Sequence, residues 1–198
     1  MSVLVAKEAP DFTAMAVMPD NSFEELTLSN YKGKYVVMFF YPLDFTFVCP
    51  SELIAFNHRL EEFKKRNVEV IGVSIDSHFS HLAWKNTAVN NGGIGNVQYP
   101  LVADISKEVT AAYDMTTGPG IALRGSFLID KEGVVQHQVV NNLPLGRDID
   151  EMLRMVDALQ FTEEHGEVCP AGWKQGEAGM KGSTEGVAEY LAEHADSL

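Results

Sequence analysis

The sequence predicts an α/β fold around a mixed central sheet, on three observations. Apolar runs of strand length alternate with segments of helical periodicity, the pattern of α/β chains. Two of these runs, 35–41 and 69–75, are continuously apolar and rich in β-branched and aromatic residues, as in strands covered on both faces. The alternation finishes in a hairpin, with 126–130 and 134–140 joined across Lys131-Glu132-Gly133.

In chain order, residues 10–30 read as a short antiparallel pair turning at Pro19-Asp20-Asn21-Ser22. After the 35–41 strand, residues 51–66 place apolar side chains at 53, 56, 60 and 63, which is helical spacing, with Pro50 at a first-turn position. The strand at 69–75 closes a βαβ unit, expected to be right-handed. A helix follows over 80–90, then a loop through Asn91-Gly92-Gly93-Ile94-Gly95, a short strand near 99–103 and a helix over 105–113. Beyond the hairpin, 148–159 is an amphipathic helix. Composition shifts after about 161: the remaining residues hold six glycines, few large aliphatics, Cys169 and a weak helix over 184–194. The expected organisation is a domain over 1–160 and a C-terminal arm over 161–198.

At 198 residues and 45% hydrophobic, the chain can bury roughly 70% of its unfolded surface, enough for one well-packed domain. Its apolar runs fall far short of the ~20 residues that span a bilayer, and no basic segment with an extended apolar stretch follows Met1. A soluble, cytoplasmic protein with no membrane partner is expected. A net charge of −13, from 28 acidic against 15 basic residues, argues against nucleic acid, because neutralising phosphates takes clustered Lys and Arg. The basic residues that do cluster, Lys64-Lys65-Arg66, end a predicted helix, where cations complement the dipole.

Two cysteines cannot scaffold a chain of this size, and without a CxxC motif neither a thioredoxin-type dithiol nor a zinc knuckle is available. Inert core thiols, a lone nucleophile and a redox pair remain. Local context favours a reactive Cys49. It lies where an apolar strand ends and a helix begins, close to unpaired N–H groups and the positive end of the dipole, both of which favour thiolate. Arg124, ahead of a buried strand and beside Gly125, offers a cation. Thr46, three residues before the cysteine, offers a hydroxyl that both donates and accepts, as a peroxide does. Pro42 closes the strand without a competing donor.

The spacing Pro-x-x-x-Thr-x-x-Cys, with Arg124, resembles the active-site signature of the peroxiredoxins. Asp44-Phe45-Thr46-Phe47-Val48-Cys49-Pro50-Ser51-Glu52 and Glu167-Val168-Cys169-Pro170 resemble the typical two-cysteine class, which includes alkyl hydroperoxide reductase C. The likeness runs through Asn141-Asn142-Leu143-Pro144-Leu145-Gly146-Arg147 to the tail.

That resemblance implies a thioredoxin-like fold with an N-terminal β-hairpin, and a thiol peroxidase with no metal or organic cofactor. Cys49 would attack hydrogen peroxide or an organic hydroperoxide, with Thr46 holding the substrate, Arg124 steadying the charge and Pro42 excluding water. Glu52 and Arg147 would orient Arg124, and Tyr41 and Trp84 count as further supporting residues. Cys169 of a partner subunit would resolve the sulfenic acid in a homodimer, after local unfolding around Cys49. Thioredoxin or the alkyl hydroperoxide reductase flavoprotein would reopen the disulfide. Residues 78–84, with His78, Phe79, Ser80, His81 and Trp84, fall where related proteins form the dimer–dimer contact of a decamer. A metal site on His78 and His81 is the alternative there, and Trp84 otherwise reads as core. Peroxide-sensitive relatives carry Gly-Gly-Leu-Gly and Tyr-Phe where this chain has Gly92-Gly93-Ile94-Gly95 and Tyr190-Leu191, so intermediate sensitivity to overoxidation is expected.

Two other functions stand beside this one. A ring-forming holdase would use Cys49 only to switch assembly state. A cysteine hydrolase would need a base from His58 or His137, but His58 lies about 13 Å along the helix from Cys49 at 1.5 Å per residue.

Overall fold

The computed structural model describes residues 3–197, and the chain divides by its contacts into the units Met1–Ile149 and Asp150–Leu198. That division falls at the start of a helix, ahead of the boundary at 160 expected from composition.

In the first unit, Thr13–Val17 (β1) and Phe23–Thr27 (β2) form the antiparallel pair, with Asn21 in the left-handed region at the turn. Tyr35–Phe40 (β3) is buried at all six positions. Cys49–His58 (α1) and Leu60–Lys65 (α2) follow, then Val68–Ser74 (β4), parallel to β3. His78–Lys85 (α3), Leu101–Ala103 (β5) and Glu108–Ala112 (α4) lead to the hairpin of Arg124–Ile129 (β6) and Val135–Asn141 (β7). The sheet order is β2-β1-β5-β4-β3-β6-β7, mixed in direction and closed at both edges by antiparallel strands.

Burial of β3 on both faces follows from period-two alternation. On one face Phe40 meets Tyr113 and Phe127, in a cluster with Val36, Met38, Ile71 and Val102. On the other, Phe39 stacks on Phe56 of α1 with centroids 4.1 Å apart and meets Tyr99 edge-on. Gly72 is the register partner of Phe39, and a Cβ there would crowd the Phe39 ring and Leu101.

The element ends differ from the periodicity for local reasons. The single helix expected over 51–66 is two, broken at Arg59 (φ −102°, ψ 4°), with no Gly or Pro to announce it. Leu53, Phe56, Leu60 and Phe63 are all buried across the break. The helix expected over 105–113 shortens to α4 because the Asp104 carboxylate accepts from Val109 N and Thr110 N at 3.2 and 2.7 Å, while Lys107 takes a left-handed conformation. The 80–90 helix starts earlier, capped by Ser77, and stops at Lys85.

The second unit takes all but the first residue of Ile149–His165 (α5), which is longer than the expected 148–159, with a bridge between Val168 and Met180 and then Thr184–His194 (α6), as the sequence predicts. Trp173 is its buried anchor. The indole donates to Glu177 O, the ring meets Phe161 at 4.7 Å, and Arg154 holds the Trp173 carbonyl at 2.8 Å. Among the described residues, no helix is long and apolar enough to cross a membrane.

Candidate active site

The register of the sheet builds the site. Phe39 of β3 pairs with Ser126 of β6, and the strands run antiparallel, so two further steps bring Tyr41 level with Arg124. The end of the strand that delivers the chain to Pro42 and the start of the strand that opens on Arg124 therefore lie side by side, on adjacent interior strands. The segment 42–48 then carries the chain into α1, whose first residue is Cys49. Pro42 is buried and Cys49 has no exposed surface.

Among the described residues, the Cys49 sulfur has hydrogen-bonding neighbours on the 42–48 segment and on β6. Thr46 Oγ1 lies 2.9 Å away and Arg124 Nη1 3.4 Å away. Thr46 Oγ1 is also 2.8 Å from the Leu43 carbonyl. A hydroxyl has one proton and two lone pairs, so it donates to one of these acceptors at a time. With the proton on the Leu43 carbonyl, an oxygen lone pair faces the sulfur. With the proton turned to the sulfur, the hydroxyl stabilises a thiolate.

Arg124 is held on three sides. Nε donates to Leu143 O at 2.7 Å, and Nη1 serves both the sulfur and Glu52 Oε2, the latter at 2.7 Å. Glu52, in the first turn of α1, also accepts from Arg147 N, Nε and Nη2 at 2.9, 2.8 and 3.0 Å. Arg147 Nη1 donates to Gly125 O and Ser126 Oγ, and its guanidinium lies over the Phe39 ring at 5.3 Å. With its side chain 2% exposed, Arg147 is no surface charge. Burial by itself raises the Glu52 carboxyl, but the hydrogen bonds and charge of Arg147, with the charge of Arg124, outweigh it and hold the group below its ordinary value. Two guanidinium groups against one carboxylate leave one positive charge over, which a thiolate on Cys49 neutralises.

Residues 5–138 match the model of the AhpC/TSA family, and residues 158–193 match the C-terminal domain of 1-Cys peroxiredoxin. The chain is 57% identical over 198 residues to alkyl hydroperoxide reductase C of Helicobacter pylori strain J99, covering 99% of this chain and all of that one. It belongs to the AhpC/TSA family and is a peroxiredoxin. Peroxiredoxin-1 of Gallus gallus is 53% identical, with 95% of each chain covered. A reduced 2-Cys peroxiredoxin of Plasmodium vivax superposes with a TM-score of 0.95 at 52% identity, covering 96% of this chain and all of that one. The enzyme is thus a thiol peroxidase with the thioredoxin-like fold of its relatives.

In this peroxiredoxin, Thr46, Cys49, Glu52, Arg124 and Arg147 are joined by hydrogen bonds at one place, and Pro42 is buried where the chain leaves β3 for Cys49. The Tyr41 hydroxyl is engaged away from the sulfur. It donates to Asp44 Oδ1 at 2.9 Å, and burial, with the Asp44 charge, pushes the phenol well above its ordinary value. Trp84 is core: fully buried, it donates from Nε1 to Gly92 O at 2.8 Å and lies beside Tyr41 and Phe45. Both nitrogens of His81 are engaged, by Asp44 and by Val102 O, while His78 packs against Phe23 and Phe79, which leaves the metal reading without a ligand pair. His58 is exposed at the far end of α1 and His137 sits within β7, so neither is a base for the sulfur. In the second unit, half-buried Cys169 sits 3.5 Å from Ala158 O and 3.7 Å from Thr162 Oγ1.

Sequence reasoning missed polar groups behind the site: buried Asp44 and His81, half-buried Asp76 and the Leu143 carbonyl. Asp44 lies inside the quoted signature, but nothing in the spacing of Asp76 or His81 announces that they converge on it.

Proposed function

We propose that this peroxiredoxin reduces hydrogen peroxide and organic hydroperoxides in a two-cysteine cycle begun by Cys49 and completed by Cys169 of a second copy. The observation that carries the first step is the sulfur lying between the Thr46 hydroxyl and the Arg124 guanidinium. The thiolate attacks one peroxide oxygen: an S–O bond forms, the O–O bond breaks, and the departing oxygen leaves as water or alcohol once protonated. Negative charge moves from sulfur to that oxygen, and donors already fixed by Glu52, Leu143 and Arg147 need no rearrangement to meet it.

The product is a sulfenic acid, which a thiol condenses to a disulfide with loss of water. Cys169 is the chain's other thiol. A sulfur with no exposed surface cannot approach to the roughly 4.4–6.8 Å Cα separation of a disulfide unless α1's first turn opens. A thioredoxin-like dithiol or a reduced flavoprotein then returns two electrons and two protons, which suits a reducing compartment such as the cytoplasm. A homodimer is the smallest assembly that completes the cycle, and a decamer built through the α3 region is consistent with exposed Phe79 beside Phe23.

Non-reducing gels after peroxide treatment test the cycle. A covalent dimer that reverts to monomer in Cys169→Ser supports intersubunit resolution, and an oxidised monomer of the unmodified chain contradicts it. Loss of peroxide consumption in Cys49→Ser tests the first step separately.

A further inference from the structure

We propose that Asp76 and His81 are positioning residues for peroxide reduction, acting through the Leu43–Asp44 peptide and the Asp44 side chain to aim the Thr46 hydroxyl at the reacting sulfur. The inference rests on Cys49 being the sulfur that reduces peroxide.

The peptide group joining Leu43 to Asp44 is held on both sides. Its carbonyl accepts from Thr46 Oγ1 at 2.8 Å, and its N–H donates to Asp76 Oδ2 at 2.9 Å. A peptide group is planar, so tilting the N–H away from Asp76 swings the carbonyl away from Thr46. That carbonyl decides which way the single Thr46 proton points, and hence what the hydroxyl offers to the sulfur and its substrate. Asp76 is itself held by Ser74 Oγ at 2.7 Å, at the end of β4.

The Asp44 carboxylate is fixed independently. Oδ1 accepts from Tyr41, and Oδ2 lies 2.8 Å from His81 Nδ1, with both side chains of that pair essentially unexposed. His81 Nε2 faces the Val102 carbonyl at 3.1 Å, which only accepts, so Nε2 carries a proton. Nδ1 and Oδ2 at 2.8 Å make the pair a buried clamp between α3 and the loop. The groups facing His81 are thus Asp44, Tyr41 and the Val102 carbonyl, with the Asp76 charge nearby.

Between Asp44 and Thr46 stands Phe45, with φ at 53°. A bulky residue in the left-handed region persists where its surroundings over-determine it. Behind Phe45 lie Trp84 and the clamp on Asp44. Burial, and then the Asp44 charge, push the Asp76 carboxyl above its ordinary value. The bond from Asp44 N to Asp76 Oδ2 keeps the two acidic residues close together where the loop turns towards Cys49.

The test compares two reactions of Cys49 in the full-length chain: oxidation by hydrogen peroxide and alkylation by iodoacetamide. Both reactions draw on the same thiolate, so a change in its population cancels in the ratio of the two rates, and alkylation needs no hydroxyl aligned on its reagent; a positioning defect therefore lowers the ratio where general loosening does not. Asp76→Ala is expected to slow peroxide oxidation about 10- to 100-fold, the scale of an ångström-level misplacement, with alkylation within about twofold. Asp76→Asn keeps an acceptor for the Asp44 amide and should recover most of the rate. His81→Asn, which keeps a donor towards Asp44, should react faster with peroxide than His81→Gln, which keeps only the donor towards Val102. Peroxide and alkylation rates falling together, or Asp76→Ala staying within about twofold of the unmodified chain, would overturn the proposal. Should the His81 variants not fold, Asp76→Ala against Asp76→Asn decides it. Peroxide consumption that survives Cys49→Ser would instead remove the reading beneath it.

Discussion

Replacing Glu52 with Gln removes one charge from the centre of the site while keeping its shape. Glu52 takes four hydrogen bonds from Arg124 and Arg147 at 2.7–3.0 Å, and all three side chains are at most 4% exposed. The amide leaves two buried guanidinium groups facing one thiolate and turns an NH₂ towards donors. Breaking a buried ion pair from one side costs about 3–5 kcal/mol. For a chain of this length that lowers the melting temperature by on the order of 10 °C. The loss depends on pH in a definite sense. Because the folded Glu52 carboxyl is held below its ordinary 4.5, its contribution is complete above pH 4.5 and disappears as pH falls through the lower folded value. Thermal melts of the unmodified chain and Glu52→Gln should therefore differ at neutral pH and converge in acid. Peroxide oxidation at neutral pH should fall about tenfold or more, since Arg124 loses the group that aims it. Equal melting temperatures at neutral pH, or a gap undiminished well below pH 4.5, would refute the charge argument.

Thr46→Val keeps the volume and removes the hydroxyl; peroxide oxidation should fall about 100- to 1,000-fold, as for a lost transition-state donor, while Thr46→Ser keeps most of the rate in stopped-flow assays. Lys85, 3% exposed with Nζ on Met18 O, is pushed down to about 8 by burial, so between pH 8 and 10 the unfolded chain binds more protons and stability climbs with pH. Denaturant titrations of Lys85→Met should lose that slope; above pH 10 the buried Tyr41, Tyr99 and Tyr113, all raised, reverse its sign. Leu191→Phe, restoring the aromatic of peroxide-sensitive relatives, should increase Cys49 sulfinate in mass spectra after graded peroxide, and an unchanged yield would count against a role for that position.

The local chemistry of the site was legible because it is packed into a short stretch. Thr46 and Cys49 lie one turn apart, Pro42 precedes them, and strand and helix periodicity sets the junction between. The remote members were less so: Arg124 offered a cation without showing where it would reach, and Arg147 entered only through the resemblance. What places them is the β3–β6 register, which no local pattern encodes. The break at Arg59 was illegible because apolar spacing at 53, 56, 60 and 63 is the same for one helix as for two.

By itself, then, the sequence determined the α/β class, the strand pair 35–41 and 69–75, the cysteine at a helix start and the hydroxyl beside it. These are short-range consequences of periodicity and spacing. Only the tertiary structure decided that Glu52 binds two arginines, that the Tyr41 hydroxyl serves Asp44, and that Trp84 is core. It also decided that Asp76 and His81 reach the active-site loop from β4 and α3. The reason is physical: a buried polar group must find its partner wherever the folded backbone offers one, and sequence distance says nothing about where that is.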